Sequence, residues 1–97
     1  MWRAPQIYAT TLTGGDVAAL IVNWHEVIHP ELTFRFQDLG IVPTPNQRVR
    51  VTDLWTYHVV GTYNYDQEIG VKNIPGHGNF AYRFTVLDGE DEQVVQN

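Results

Sequence analysis

The string His25-Glu26-Val27-Ile28-His29 has the H-E-x-x-H spacing with which zinc proteases bring two imidazoles to one metal. That chemistry needs a helix, where positions i and i+4 share a face and the glutamate reaches the metal-bound water. The flanking residues argue against a helix. Trp24 closes an apolar run that reads as a strand, Val27 and Ile28 are β-branched, and Pro30 biases His29 away from the helical region. His25 and His29 are therefore candidate metal ligands only as members of a loop, and a coincidental connection fits the string better than a small metalloenzyme does. His58 and His77 are the remaining imidazoles, and His77 sits between two glycines in a turn. A catalytic imidazole needs a nucleophile or a carboxylate beside it in a cleft. The sequence names no such partner for either.

Acid chemistry is as sparse. Retaining glycoside hydrolysis needs two carboxyl groups about 5–5.5 Å apart across a sugar pocket. Asp53 is the one acid inside an expected ordered strand, and its simplest role is to hydrogen-bond a turn. Asp38 and Asp66 fall at a strand end and a turn, Glu26 and Glu31 flank a loop, and Asp88, Glu90, Asp91 and Glu92 form a solvated run. No catalytic residue is assigned. The aromatics are the richer resource. Trp2, Trp55, Tyr57 and, beside them, His77 are the candidates for contact with a neighbouring domain or with sugar, since aromatic faces cover apolar surface and stack on sugar C–H groups.

The elements that must position these residues are strands. Gln6–Thr13 is rich in β-branched and aromatic residues, Gly14-Gly15-Asp16 predicts a tight hairpin, and Val17–Trp24 follows as a nearly continuous apolar run. Apolar residues on both faces of that run predict a central strand. A helix there would have to start directly after a Gly-Gly turn and stop within two or three turns. His25–Glu31 reads as a connection closed by Pro30. Leu32, Phe34 and Phe36 then alternate with polar residues as a half-buried strand that Asp38-Leu39-Gly40 ends, and Ile41–Gln47 is a proline-bearing loop. Arg48–Gly61 opens with Val49 and Val51 on one face. Asp53-Leu54-Trp55 breaks the alternation as a bulge or corner, and Gly61 is read as marking the next turn. Two short strands follow across 61–73, then a turn at Ile74–Gly78. A closing strand carries Phe80, Tyr82, Phe84 and Val86 on one face. The expected fold is all-β: an antiparallel β-sandwich of about seven to eight strands with Greek-key-like connections. Residues 1–87 form its single domain, and 88–97 an acidic, frayed tail.

Composition narrows the function classes. Ninety-seven residues suffice for one core, burying roughly 60–65% of the unfolded surface. The net charge is −5 with six Lys and Arg, which disfavours a nucleic-acid partner. There is no cysteine, hence neither disulfide framework nor thiolate metal site. No apolar run reaches the roughly 18 residues of a membrane span, and no signal-like segment opens the chain.

The stretch "VTDLW", a glycine at 61, and "IPGHGNFAYRF" about twenty residues further on together resemble the C-terminal β-domain of family 27 glycoside hydrolases, the α-galactosidase or melibiase group. Val51, Asp53, Leu54, Trp55, Gly61, Ile74, Pro75, His77, Gly78 and Arg83 carry the match. "WRAPQIYATTLTGGDVAALIVNW" and "LTFRFQDLGI" resemble earlier strands of the same domain, so the likeness spans roughly residues 2 to 87. The chain departs at Gly76, where members often carry Pro or Ala before the histidine, and it continues past the usual closing strand. The resemblance implies a non-catalytic sandwich that stabilises an N-terminal (β/α)8 catalytic domain of a parent α-galactosidase, the two catalytic aspartates belonging to that barrel. It implies no cofactor, and a secreted or lysosomal parent. An apolar docking face left bare would favour self-association of the isolated domain. The competing functional reading is a free-standing carbohydrate-binding module.

Overall fold

A computed structural model describes residues 5–88, and within it the chain forms seven strands and one 3-10 turn. Strands β1 (Gln6–Thr11) and β2 (Val17–Val22) make the first hairpin. Gly14 and Gly15 both hold φ above +90°, which a side chain would resist. The turn is closed by Leu12 N–H donating to the Asp16 carbonyl and Gly15 N–H donating to the Leu12 carbonyl. Asp16 then anchors the hairpin to the last strand: its Oδ2 accepts from Arg83 Nε at 2.6 Å and from Thr85 Oγ1 at 2.9 Å.

β3 spans His29–Arg35 and runs into a 3-10 turn at Phe36–Leu39. β4 (Gln47–Asp53), β5 (Val59–Asn64), β6 (Glu68–Ile74) and β7 (Asn79–Asp88) complete the chain. Five strands pair in the order β1-β2-β7-β4-β5, and β3 pairs with β6 in a second sheet. Every pairing is antiparallel. The expected all-β fold is therefore found, as two sheets with β2 an interior strand of the larger one.

Period-2 alternation decides which residues enter the core. Val17, Ala19 and Ile21 of β2, Val49 and Val51 of β4 and Phe84 of β7 point inward and are buried. Phe34, Ile69, Val71 and Ile74 face them from the small sheet. Phe84 sits at the centre. Its ring meets Phe34 and Phe36 edge-on, each at a centroid distance of 6.2 Å, the arrangement that aromatic quadrupoles favour.

Three boundaries differ from the sequence expectation. Pro30 lies inside β3 rather than closing a loop. The register pairs His29 with Ile74 and Glu31 with Lys72, and the missing N–H of Pro30 is harmless because β3 has a neighbour on one side only. Phe36 leaves the strand and enters the core from the 3-10 turn, which ends at Gly40 in the left-handed region. Gly61 does not mark a turn. It is buried within β5 opposite Val51, beside the register shift at Val51/Thr52, and the turn after β5 comes at Tyr65-Asp66-Gln67. Of the tail, Asp88 ends β7 opposite Gln47, and residues 89–97 lie outside the described residues.

Two measurements test this core. Phe84→Ala is expected to cost about 3–5 kcal/mol in urea unfolding, whereas Val42→Ala at a largely exposed site should change stability by less than about 0.5 kcal/mol. Tyr82 probes the alkaline side. Burial, then the Asp53 carboxylate, then Tyr63 raise its phenol above the ordinary 10.0. The folded protein thus keeps a proton that the unfolded chain releases near pH 10. This stabilisation is complete below the unfolded value and is lost as pH rises through the folded one. Tyr82→Phe should flatten that part of the alkaline loss when unfolding is compared at about pH 8 and about pH 11. An unchanged alkaline slope would contradict the assignment.

Candidate interaction surface

The register brings most of the sequence candidates to one end of the sandwich. Gln6 pairs with Val22, Val22 with Asn79, and Asp53 with Tyr82. The start of β1, the end of β2, the start of β7 and the end of β4 therefore lie together. The loops that leave them, 23–28, 54–58 and 75–78, carry His25, Trp55, Tyr57, His58 and His77, and His29 opens β3 at the same end. Trp2 lies outside the described residues.

The H-E-x-x-H string takes no helical form. Residues 25–27 are bends and His29 begins β3, so the two imidazoles do not share a helix face. Among the described residues no group of three His, Asp or Glu side chains is placed to hold a metal ion.

What organises this end is Asn23, the buried polar residue that the inward parity of Val17, Ala19 and Ile21 forces toward the core. Its Nδ2 lies 2.9 Å from the Val27 carbonyl and 3.1 Å from those of Ile74 and Pro75. Two hydrogens serve three acceptors, so one bond is shared. Its Oδ1 accepts from His25 N–H at 3.0 Å. The loops also bond directly, Asn23 N–H to the Gly78 carbonyl and His77 N–H to the His25 carbonyl. His77 adopts a φ of 55° in this arrangement, and a Cβ at Gly76 would overlap the Glu26 carbonyl. The backbone of the His25–His29 loop thus occupies the space that a larger residue at position 76 would need. Asn23 escaped the sequence reading, although its place two residues beyond Ile21 is the signal that could have found it.

At the β4–β5 corner, Asp53 Oδ1 accepts from Trp55 N–H at 2.8 Å and Thr56 N–H at 3.3 Å, while Asp53 N–H donates to the His58 carbonyl. Asp53 is therefore a turn-forming acid. Tyr57, at φ 62°, is held by its N–H donating to the Asp53 carbonyl at 2.7 Å. This scaffold presents Trp55 and Tyr57 60% and 80% exposed.

Several of the described acids make structural contacts. Asp16 binds Arg83 and Thr85, Asp38 accepts from Arg35 N–H, and Asp88 accepts from Gln47. A surface cavity of about 220 Å³ near the 3-10 turn has one acid in its wall, Asp66, and a second of about 250 Å³ on the outside of the larger sheet has none. Two facing carboxyl groups, the minimum for glycoside hydrolysis, line neither. The sequence reading also passed over the exposed Trp24, Tyr8 and Leu20 on that outer sheet face. Trp24 Nε1 donates to Gln6 Oε1 at 2.8 Å, which also accepts from the Tyr8 hydroxyl.

Comparison with known proteins adds the following. The family model for the alpha galactosidase C-terminal beta sandwich domain matches residues 3–84. No curated protein matches. Among solved structures, alpha-galactosidase I from Mortierella vinacea matches with a TM-score of 0.70 at 17% identity, over 87% of this chain and 21% of that one. A family 27 β-L-arabinopyranosidase from Geobacillus stearothermophilus matches with a TM-score of 0.67 at 14% identity, over 81% and 16% of the respective chains. The chain thus spans about a fifth of the length of these enzymes, and likeness at such identity concerns the fold alone.

Removing the Asn23 side chain should loosen two loops at once. Asn23→Ala is expected to cost about 1–3 kcal/mol and to speed amide exchange at His25 and His77 together. Gly76→Ala should loosen the same pair of loops. Exchange that rises in one loop only would contradict the coupling.

Proposed function

Because this chain belongs to the family of α-galactosidase C-terminal β-sandwich domains, we propose that it is the non-catalytic sandwich of a glycoside hydrolase whose chemistry takes place in an N-terminal (β/α)8 barrel. The parent enzyme removes terminal α-linked galactose or a related sugar by double displacement, using two carboxylates of the barrel. The sandwich braces that barrel. The family match over residues 3–84 carries this reading. It is supported by the structural employment of Asp16, Asp38 and Asp53 and by the rigid, aromatic-bearing end of the sandwich. The structural relatives bear the names of a galactosidase and an arabinopyranosidase, so the shared sandwich does not by itself name the sugar.

The test has two arms. The purified chain should release no nitrophenol from an aryl α-galactoside. Deleting it from the parent enzyme should lower the melting temperature by several degrees, on the order of a few kcal/mol of lost stabilisation. Hydrolysis by the isolated chain, or a parent equally stable without it, would overturn the proposal.

One observation favours a second reading. Trp55 and Tyr57 stand exposed on an ordered corner, and ordered aromatics make sugar platforms. Titration with galactose and galacto-oligosaccharides to several millimolar, followed by tryptophan fluorescence, decides it. A saturable response lost in Trp55→Ala supports carbohydrate contact, and a flat response removes it.

A further inference from the structure

At the end of the sandwich opposite Asn23, a cleft of about 220 Å³ opens between the 3-10 turn and the turn that joins β5 to β6. The fold fixes both walls. Buried Phe36, Leu39 and Ile41 hold the 3-10 segment from below, and Asp38 Oδ2 accepts from Arg35 N–H at 2.8 Å where it starts. The facing turn is closed on itself: Gln67 N–H donates to the Asn64 carbonyl and Gln67 Oε1 accepts from Asn64 N–H, each at 3.2 Å. Arg35 Nη1 donates to the Asp66 carbonyl at 3.3 Å, which ties one wall to the other. Two kinds of group line the space. Ile41, Val42, Pro43 and Tyr65 supply apolar surface, and Val42 and Tyr65 are exposed. Arg35, Gln37, Asp66 and Gln67 supply polar groups. Among the described residues the Asp66 carboxylate and the Gln37 amide make no hydrogen bond, and the Arg35 guanidinium uses one nitrogen only, on the Asp66 carbonyl.

We propose that this cleft binds a single neutral pyranose ring. Such a ring carries hydroxyls that both donate and accept, and C–H faces that aromatic and aliphatic side chains cover. The guanidinium and the amides offer donors, the Asp66 carboxylate offers acceptors, and Tyr65 and Val42 offer the apolar cover. Other ligand classes fit less well. One cation beside one acid leaves no net charge to select a phosphate. One carboxylate next to a guanidinium is too few oxygens for a metal ion. The volume lies below the roughly 300–1,000 Å³ of sites for larger ligands, so an extended peptide or a nucleotide is too big. Because the walls are tied down before the ligand arrives, little ordering opposes binding. The cleft is separate from the Trp55–Tyr57 corner, which stands at the other end of the strands.

No tryptophan lines the cleft, so the experiment follows backbone amide shifts of the ¹⁵N-labelled chain during titration with galactose and with glucose. Galactitol, which has the same hydroxyls but no ring, is the control. At least one of the two sugars should give saturable shifts at Gln37, Val42, Asp66 and Gln67, with a dissociation constant on the order of millimolar. Asp66→Ala and Gln37→Ala change exposed side chains, and near-UV circular dichroism confirms that each variant folds. Each should weaken binding by about fivefold or more, whereas Thr10→Ala on β1 should change it by less than about twofold. Four results overturn the site: no saturable shift with either sugar, shifts confined to residues 54–58, an equal response to galactitol, or wild-type affinity in both cleft variants. None of the four bears on whether the sandwich braces a barrel, which the deletion described above tests by itself.

Discussion

Five strands on one side of this core face two on the other. Every other packing feature follows from that imbalance, because a two-stranded ladder is too narrow to cover a five-stranded sheet. The deficit is filled by the segment between β3 and β4. Its 3-10 turn drops Phe36 and Leu39 into the gap, and Ile41 follows from the loop. Phe84, on the strand beside β2 and β4, meets both Phe34 of the ladder and Phe36 of the turn. The core is closed by a non-strand segment, which explains why a stretch with two prolines and little regular structure is nonetheless pinned down by buried residues.

The same sheet has a second face, and its chemistry divides the molecule. Toward the Asp16–Arg83–Thr85 cluster the outer surface is polar and self-satisfied. Toward Gln6 and Trp24 it is apolar, and its small residues leave a hollow. The loops at that end are joined through one buried amide, so the exposed aromatics stand on a fixed base rather than on mobile connections. Rigid loops with spare apolar surface suit a domain that supports a neighbour.

The strands were legible where alternation was strong. Val49 and Val51, Phe34, and the Phe80–Phe84 series each identified a core face from residue type alone, and the double-sided apolar run from Val17 located an interior strand. The misreadings share a cause. Pro30 and Gly61 read locally as punctuation, yet each is tolerated inside a strand by context that no local window holds: a one-sided edge for the proline, and a register shift opposite Val51 for the glycine. The candidate surface was half legible. Trp55 and Tyr57 stood out by type, while Leu20 and Trp24 belong to a run that reads as a strand apolar on both faces, and which of its faces is covered depends on the complete sheet order. The need for glycine at position 76 comes from the Glu26 carbonyl, which a Cβ there would overlap across fifty residues of sequence.

The central claim is that this sandwich braces a neighbouring catalytic domain. Bracing is mutual, so the most direct measurement is the melting of the sandwich's own core methyl signals, those of Ile21, Val49 and Val51, in the isolated chain and in the parent enzyme. The account predicts that these signals are lost at a higher temperature in the parent. Loss at the same temperature in the two proteins would contradict it.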